Sequence, residues 1–78
     1  MRLDKYLKVS RLVKRRTVAN ELCDAKRVHV NGRAARASYA VQVGDEITIA
    51  GASETRVRVV SINEHATKES ATGMFEML

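Results

Sequence analysis

At 78 residues, with 45% hydrophobic and only 4% aromatic side chains, the chain can build one small core of Val, Leu, Ile and Ala; that is too little for a deep enzymatic cleft. The net charge of +5 conceals a division: residues 1–36 carry eleven Lys/Arg against three Asp/Glu, and residues 37–78 carry three against six. A positive field confined to one half points to a polyanion-facing surface, with a solvated basic helix face as the plainer alternative.

No run approaches the length of a membrane span, and no apolar segment follows the N-terminal charges as in a signal peptide. Cys23 is the only cysteine. It excludes an internal disulfide framework and fits a reducing compartment, so a cytoplasmic location is expected.

Leu3 and Leu7 lie four apart with Tyr6 beside them, which predicts a short helix with one apolar stripe. Asp4, Lys5 and Lys8 are expected to face outward, Asp4 offsetting the positive end of the helix dipole. Ser10 interrupts the pattern. Arg11, Lys14, Arg15 and Arg16 then place four cations within six residues, with Leu12 and Val13 between them turned back into the core.

Thr17 is a candidate N-cap for a second helix over residues 18–25, whose buried face would be Val18, Leu22 and Ala25. Arg15 and Arg16 would flank its N-terminus, where free amides and the dipole already favour phosphate. The plainer reading pairs these arginines with Glu21 or Asp24, yet four clustered cations outnumber the acids within reach.

Val28 and Val30 alternate with Arg27 and His29, and Asn31-Gly32 supplies the positive φ angles of a two-residue type I′ turn. Arg27, Arg33 and Arg36 extend the positive surface from this hairpin. Residues 37–42 form a connector, Gly44-Asp45 a turn, and Ile47 and Ile49 alternate as a strand. Gly51-Ala52-Ser53 marks the next turn. A further strand is expected over 55–62, with Val57, Val59 and Ser61 on one side and Arg56 and Arg58 on the other, wet side. After a polar stretch the chain finishes in Met74-Phe75-Glu76-Met77-Leu78. These last residues suit a short helix, an added strand or a disordered end, and their apolar cluster argues for docking.

No catalytic constellation is present: no Ser/His/Asp set, no phosphate-cradling glycine loop, no H-E-x-x-H or C-x-x-C pattern. His29, His65 and Cys23 are too widely separated to hold a metal. Asp4, Asp24 and Asp45 are better explained by helix ends and turns than as acid or base, and Cys23 as a small core residue. No enzyme activity, cofactor or metal is expected.

The ordered blocks Arg2-Leu3-Asp4-Lys5-Tyr6-Leu7, Lys14-Arg15-Arg16-Thr17, Val28-His29-Val30-Asn31-Gly32 and Val43-Gly44-Asp45-Glu46-Ile47 resemble the RNA-binding domain of small-subunit ribosomal protein S-four. Each block alone is weak; the four in order are specific. The resemblance implies an α+β fold: an αL motif of two N-terminal helices packed on a small twisted antiparallel sheet. The motif would occupy about residues 1–50 of a single domain over 1–78, with the C-terminal strand and tail in 55–78.

The length, the block from Leu7 to Thr17 and the block from Met74 to Leu78 further resemble the ribosome-quality-control group of this family. That resemblance implies a factor with no chemistry of its own, and a monomer without a membrane partner is expected. It would bind the rRNA of an obstructed large ribosomal subunit and its peptidyl-tRNA, and support alanine tailing alongside RqcH. By position it makes Arg2, Arg11, Lys14, Arg15 and Arg16 RNA contacts; Lys5, Lys8, Arg27, Arg33 and Arg36 complete the candidate set.

Two positions depart from the pattern. Lys26 stands where the family usually has glycine, so the second helix is expected to close without an easy left-handed cap. Ala37 replaces a frequent proline, loosening the connector. The alternatives are a general rRNA-binding or heat-shock ribosome-recycling member of the family, a helix-turn-helix DNA-binding protein, and a detached domain of an RNA-modifying enzyme.

Overall fold

The computed structural model describes residues 1–51 and 53–78; the central residue of the expected Gly51–Ser53 turn, Ala52, lies outside them. Two helices, α1 (Leu3–Val9) and α2 (Arg16–Asp24), precede strands β1 (Val28–Val30), β2 (Arg33–Ala34), β3 (Glu46–Ile49) and β4 (Thr55–Val59). A short α3 (Lys68–Ala71) and β5 (Phe75–Met77) complete the order. The strands form one antiparallel sheet in the order β2-β1-β3-β4-β5. The expected α+β architecture is the one observed.

The apolar stripe of α1 behaves as its spacing predicts: Leu3, Tyr6 and Leu7 are fully buried. They join Val28, Val30, Ile47, Val57 and Val59 from one face of the sheet in a common core. The opposite face is wet. There Arg58 meets Glu76 at 2.7 Å and Glu46 at 3.9 Å, and Arg56 meets Glu46 at 3.9 Å. The Asn31-Gly32 turn has the predicted positive φ angles, 53° and 84°, and Val30 faces Arg33 across it.

Several expectations need correction. The second helix starts at Arg16 with Arg15 in the cap position, so Thr17 lies inside the first turn and caps nothing. Its buried face is Ala19 and Cys23; Val18 is 40% exposed, Leu22 only partly buried and Ala25 exposed. The face has rotated by one residue because two small side chains let α2 approach α1 closely, where Val and Leu would hold it off.

The end of α2 also differs. Lys26 itself adopts the left-handed conformation, φ 59°. The Lys26 N–H donates to the Cys23 carbonyl (3.0 Å) and the Arg27 N–H to the Leu22 carbonyl (2.9 Å), a complete Schellman closure made without glycine.

Strand β4 ends at Val59, short of Ser61, because the Val60 and Ser61 amides both turn to the Met74 carbonyl (2.8 and 3.1 Å). Ser61 and Ile62 are exposed. The C-terminal stretch is both helix and strand: Thr67 and Ser70 form a capping box for α3, and β5 then pairs with β4. Met74 is buried, whereas Met77 and Leu78 are 64% and 50% exposed, so only the first part of the apolar cluster docks. The 37–42 connector is not loose. Leu3 N–H donates to Tyr39, Asp4 N–H to Ala37 and Val41 N–H to Met1, at 2.8 to 3.1 Å, and Ala37 and Val41 are buried.

Candidate nucleic-acid interface

The turn between the helices gathers the first group of cations. After α1 the chain reverses through Arg11, which holds a left-handed φ of 65°; its N–H donates to the Lys8 carbonyl and that of Val13 to the Leu7 carbonyl, each at 3.0 Å. This reversal turns Val13 into the core and packs Leu12 against it, as expected. It also leaves Lys8, Arg11 and Lys14 around one shallow hollow floored by Val13. All three are exposed, as is neighbouring Arg15 at the start of α2.

Arg2 and Arg16 are organised differently, by a residue that sequence reasoning misplaced. Asp4 does not face outward; it is only 3% exposed. Arg2 Nε reaches its Oδ1 at 3.2 Å and Arg16 Nε its Oδ2 at 3.2 Å, while each arginine side chain stays about half exposed (52% and 48%). Asn20 Nδ2 (3.5 Å) and the Lys5 N–H (2.8 Å) complete the shell.

Burial of Asp4, the largest single influence on its acidity, would raise its pKa. The hydrogen bonds from Arg16, Arg2, Asn20 and the Lys5 amide together outweigh it and hold the carboxyl below its ordinary value. The bond from the Lys5 amide keeps the expected helix-end role; the outward orientation is what fails. Arg16 therefore pairs with Asp4, twelve residues away, and not with Glu21 or Asp24.

The hairpin carries the third group. Arg36 lines a hollow together with Arg2, Asn20 and Lys26. Arg33 and Arg36 flank a second one, whose wall includes Tyr39. Arg27 is exposed beyond α2 and lies outside both, and Lys5 is drawn to Glu64 (3.5 Å). Of the ten candidates, Lys8, Arg11, Lys14, Arg15, Arg27, Arg33 and Arg36 make no ion pair among the described residues. Such cations can exchange water and counterions for phosphate without first breaking an internal contact.

Asp45 is a second missed centre. Its carboxylate, 8% exposed, accepts from Asn31 Nδ2 (3.1 Å), the Tyr39 hydroxyl (2.9 Å) and the Gln42 N–H (2.9 Å). Asn31 Oδ1 in turn accepts from the Glu46 N–H at 3.0 Å. The hairpin turn is thus tied to the start of β3. The hydrogen bond to Asp45 holds the Tyr39 phenol above its ordinary pKa, with burial and the carboxylate's charge adding to it.

Cys23 is buried, and burial, with Asp4 and Asp24 nearby, pushes its thiol up to about 11, in keeping with a core role. Among the described residues no group of three His, Cys, Asp or Glu side chains could hold a metal, and no helix is long and apolar enough to cross a membrane.

Residues 1–47 match the S4 domain, a span that covers α1, α2 and the sheet through the start of β3. The RQC P-site tRNA stabilizing factor of Halalkalibacterium halodurans is 46% identical over 99% of this chain and 89% of its own length. Its counterpart in Bacillus subtilis is 47% identical over the whole chain and 92% of its own length. Among solved structures, a trimeric structure of Vibrio cholerae heat shock protein 15 superposes with a TM-score of 0.92 at 29% identity, covering all of this chain and 81% of that one. The chain belongs to the S4-domain family, and its full-length relatives within that family include the RQC P-site tRNA stabilizing factors.

Proposed function

We propose that this protein is a non-enzymatic RNA-binding factor of ribosome quality control. It binds the obstructed large ribosomal subunit and steadies the peptidyl-tRNA in its P site. The observation that carries this reading is the end-to-end similarity to P-site tRNA stabilizing factors. The seven exposed cations that have no acidic partner among the described residues are what such a task needs.

The whole of residues 1–78 acts as one RNA-binding unit, because Tyr6 and the tail share a core. Lys8, Arg11, Lys14 and Arg15 grip phosphate from the helix turn, and Arg33 and Arg36 from the hairpin. Arg2 and Arg16 add a rigid pair of half-exposed guanidiniums, with Lys5 and Arg27 at the margin. Phosphate contacts position the module, while A-form shape and 2′-hydroxyls supply selectivity. In the cytoplasm it supports alanine tailing with RqcH, acting as a monomer.

Binding to isolated large subunits carrying peptidyl-tRNA tests the reading. With about five phosphates engaged, the log–log salt slope should have a magnitude of roughly 3 to 5. Duplex DNA should compete poorly. Salt-independent association, or equal competition by DNA, overturns it. Sedimentation of the free protein separates a monomer from a trimer like that of the V. cholerae relative.

A further inference from the structure

The hairpin carries a hollow that phosphate binding alone does not explain. Its floor is apolar, the buried Val30 with the small, partly buried Ala35, and the exposed Ala34 lies at its edge. Arg33 and Arg36 stand at its rim, exposed and without ion-pair partners among the described residues. The half-buried Tyr39 forms part of the wall. No acidic residue lines it.

Its walls are fixed in advance. The Tyr39 hydroxyl is held by Asp45 at 2.9 Å, its N–H donates to the Arg36 carbonyl at 3.0 Å, and its own carbonyl accepts from the Leu3 N–H at 2.8 Å. Asn31, also at the rim, is bound to Asp45 and to Glu46. An apolar floor beside an immobilised ring suits a flat, weakly polar group. Two guanidiniums at the edge suit an anion attached to that group. A nucleotide joins both in one ligand.

We propose that this hollow seats a single unpaired nucleotide of the bound RNA, its base against Tyr39 and the alanine floor and its phosphates between Arg33 and Arg36. This rests on the RNA-binding reading above and adds a specificity element to it. A fully paired helix keeps its bases stacked inside and can offer this site only phosphate. A bulge or loop can place a base in it. Ser38, exposed at the rim, brings a hydroxyl within reach of a base edge.

The test uses the whole protein and two RNA hairpins of equal length, one fully paired and one with a single bulged 2-aminopurine. Base–aromatic stacking of ordinary strength gives a preference of roughly tenfold for the bulged hairpin, with quenching of its fluorescence on binding. Ala34→Leu, which adds bulk at the exposed edge of the hollow, should weaken preference and quenching while leaving affinity for the paired hairpin within about twofold. Tyr39→Phe should keep the preference, since the ring remains. Equal affinity for the two hairpins, or an undiminished preference in Ala34→Leu, overturns the site and leaves RNA binding standing. Failure to bind either hairpin overturns the RNA reading itself. Preferential binding of a labelled acidic peptide, lost in Ala34→Leu, assigns the hollow to a protein ligand and overturns the nucleotide.

Discussion

The Tyr6 hydroxyl donates a 2.8 Å hydrogen bond to the Met74 carbonyl oxygen, across 68 residues of sequence and in a fully buried setting. That same carbonyl accepts from the Val60 and Ser61 amides, so one oxygen joins the first helix, the end of β4 and the approach to β5. The helix that bears Lys5 and Lys8, with Arg2 at its cap, is thereby fastened to the C-terminal part of the chain.

Tyr6→Phe should cost about 1–2 kcal/mol in urea unfolding, because the ring still packs while a buried interaction is lost. Hydrogen exchange should quicken in residues 60–77 first. Burial pushes the Tyr6 phenol up to about 12 from an ordinary 10.0. The folded state therefore holds this proton more tightly than the unfolded one, and the contribution, complete below pH 10, is lost as pH rises toward 12. Spectroscopic titration of the phenolate against unfolding checks both values.

Asp4→Asn should destabilise by about 2 kcal/mol, since two arginines lose a charged acceptor that is itself buried. The folded carboxyl has a pKa below the ordinary 3.8, so its contribution is complete above that pH and is lost as pH falls through the lower folded value. Acid unfolding of wild type and variant should thus converge at low pH. RNA affinity should fall as well, because Arg2 and Arg16 lose the fixed orientation that Asp4 gives them.

Lys14→Ala and Arg16→Ala should part company. Lys14 is exposed and makes no ion pair among the described residues, so its removal should reduce the salt slope of RNA binding by about one and leave stability within about 0.5 kcal/mol. Arg16 is tied to Asp4, so its loss should lower stability and affinity together. Paired denaturation and binding measurements on the two variants decide this.

Lys26→Gly should stabilise the fold by about 0.5–1 kcal/mol, because a left-handed position strains any residue with a Cβ and glycine's greater unfolded-state entropy offsets only part of the relief. The melting midpoint should rise by about 2–8 °C. Lys26 stands outside the ten proposed contacts, so RNA affinity should change little.

What could be read from the sequence was what a few adjacent residues decide. The Asn31-Gly32 turn needs only its own backbone, and the Leu3, Tyr6, Leu7 stripe only a helical period; both are as expected. Asp4 and Asp45 were illegible for the opposite reason. Their partners Arg16, Asn20 and Asn31 stand twelve, sixteen and fourteen residues away, so nothing local separates a buried hub from a helix-end or turn carboxylate. The face of α2 was misjudged because hydrophobicity ranked Val18 and Leu22 above Ala19 and Cys23, whereas closeness of two helices rewards the smaller pair. As for the interface, the sequence identified the cations but not which of them are already engaged with Asp4 or Glu64.

Among the described residues three non-glycine positions are left-handed, and two of them, Arg11 and Lys26, are long cations. Each holds a conformation that glycine would adopt at about 1–2 kcal/mol less strain. A population of this protein selected only for resistance to heat would drift toward glycine at both positions. At Lys26 that drift would be silent for RNA binding. At Arg11 it would erase a charge from the helix turn, so the residue recovered there reports whether folding or RNA binding governed the selection.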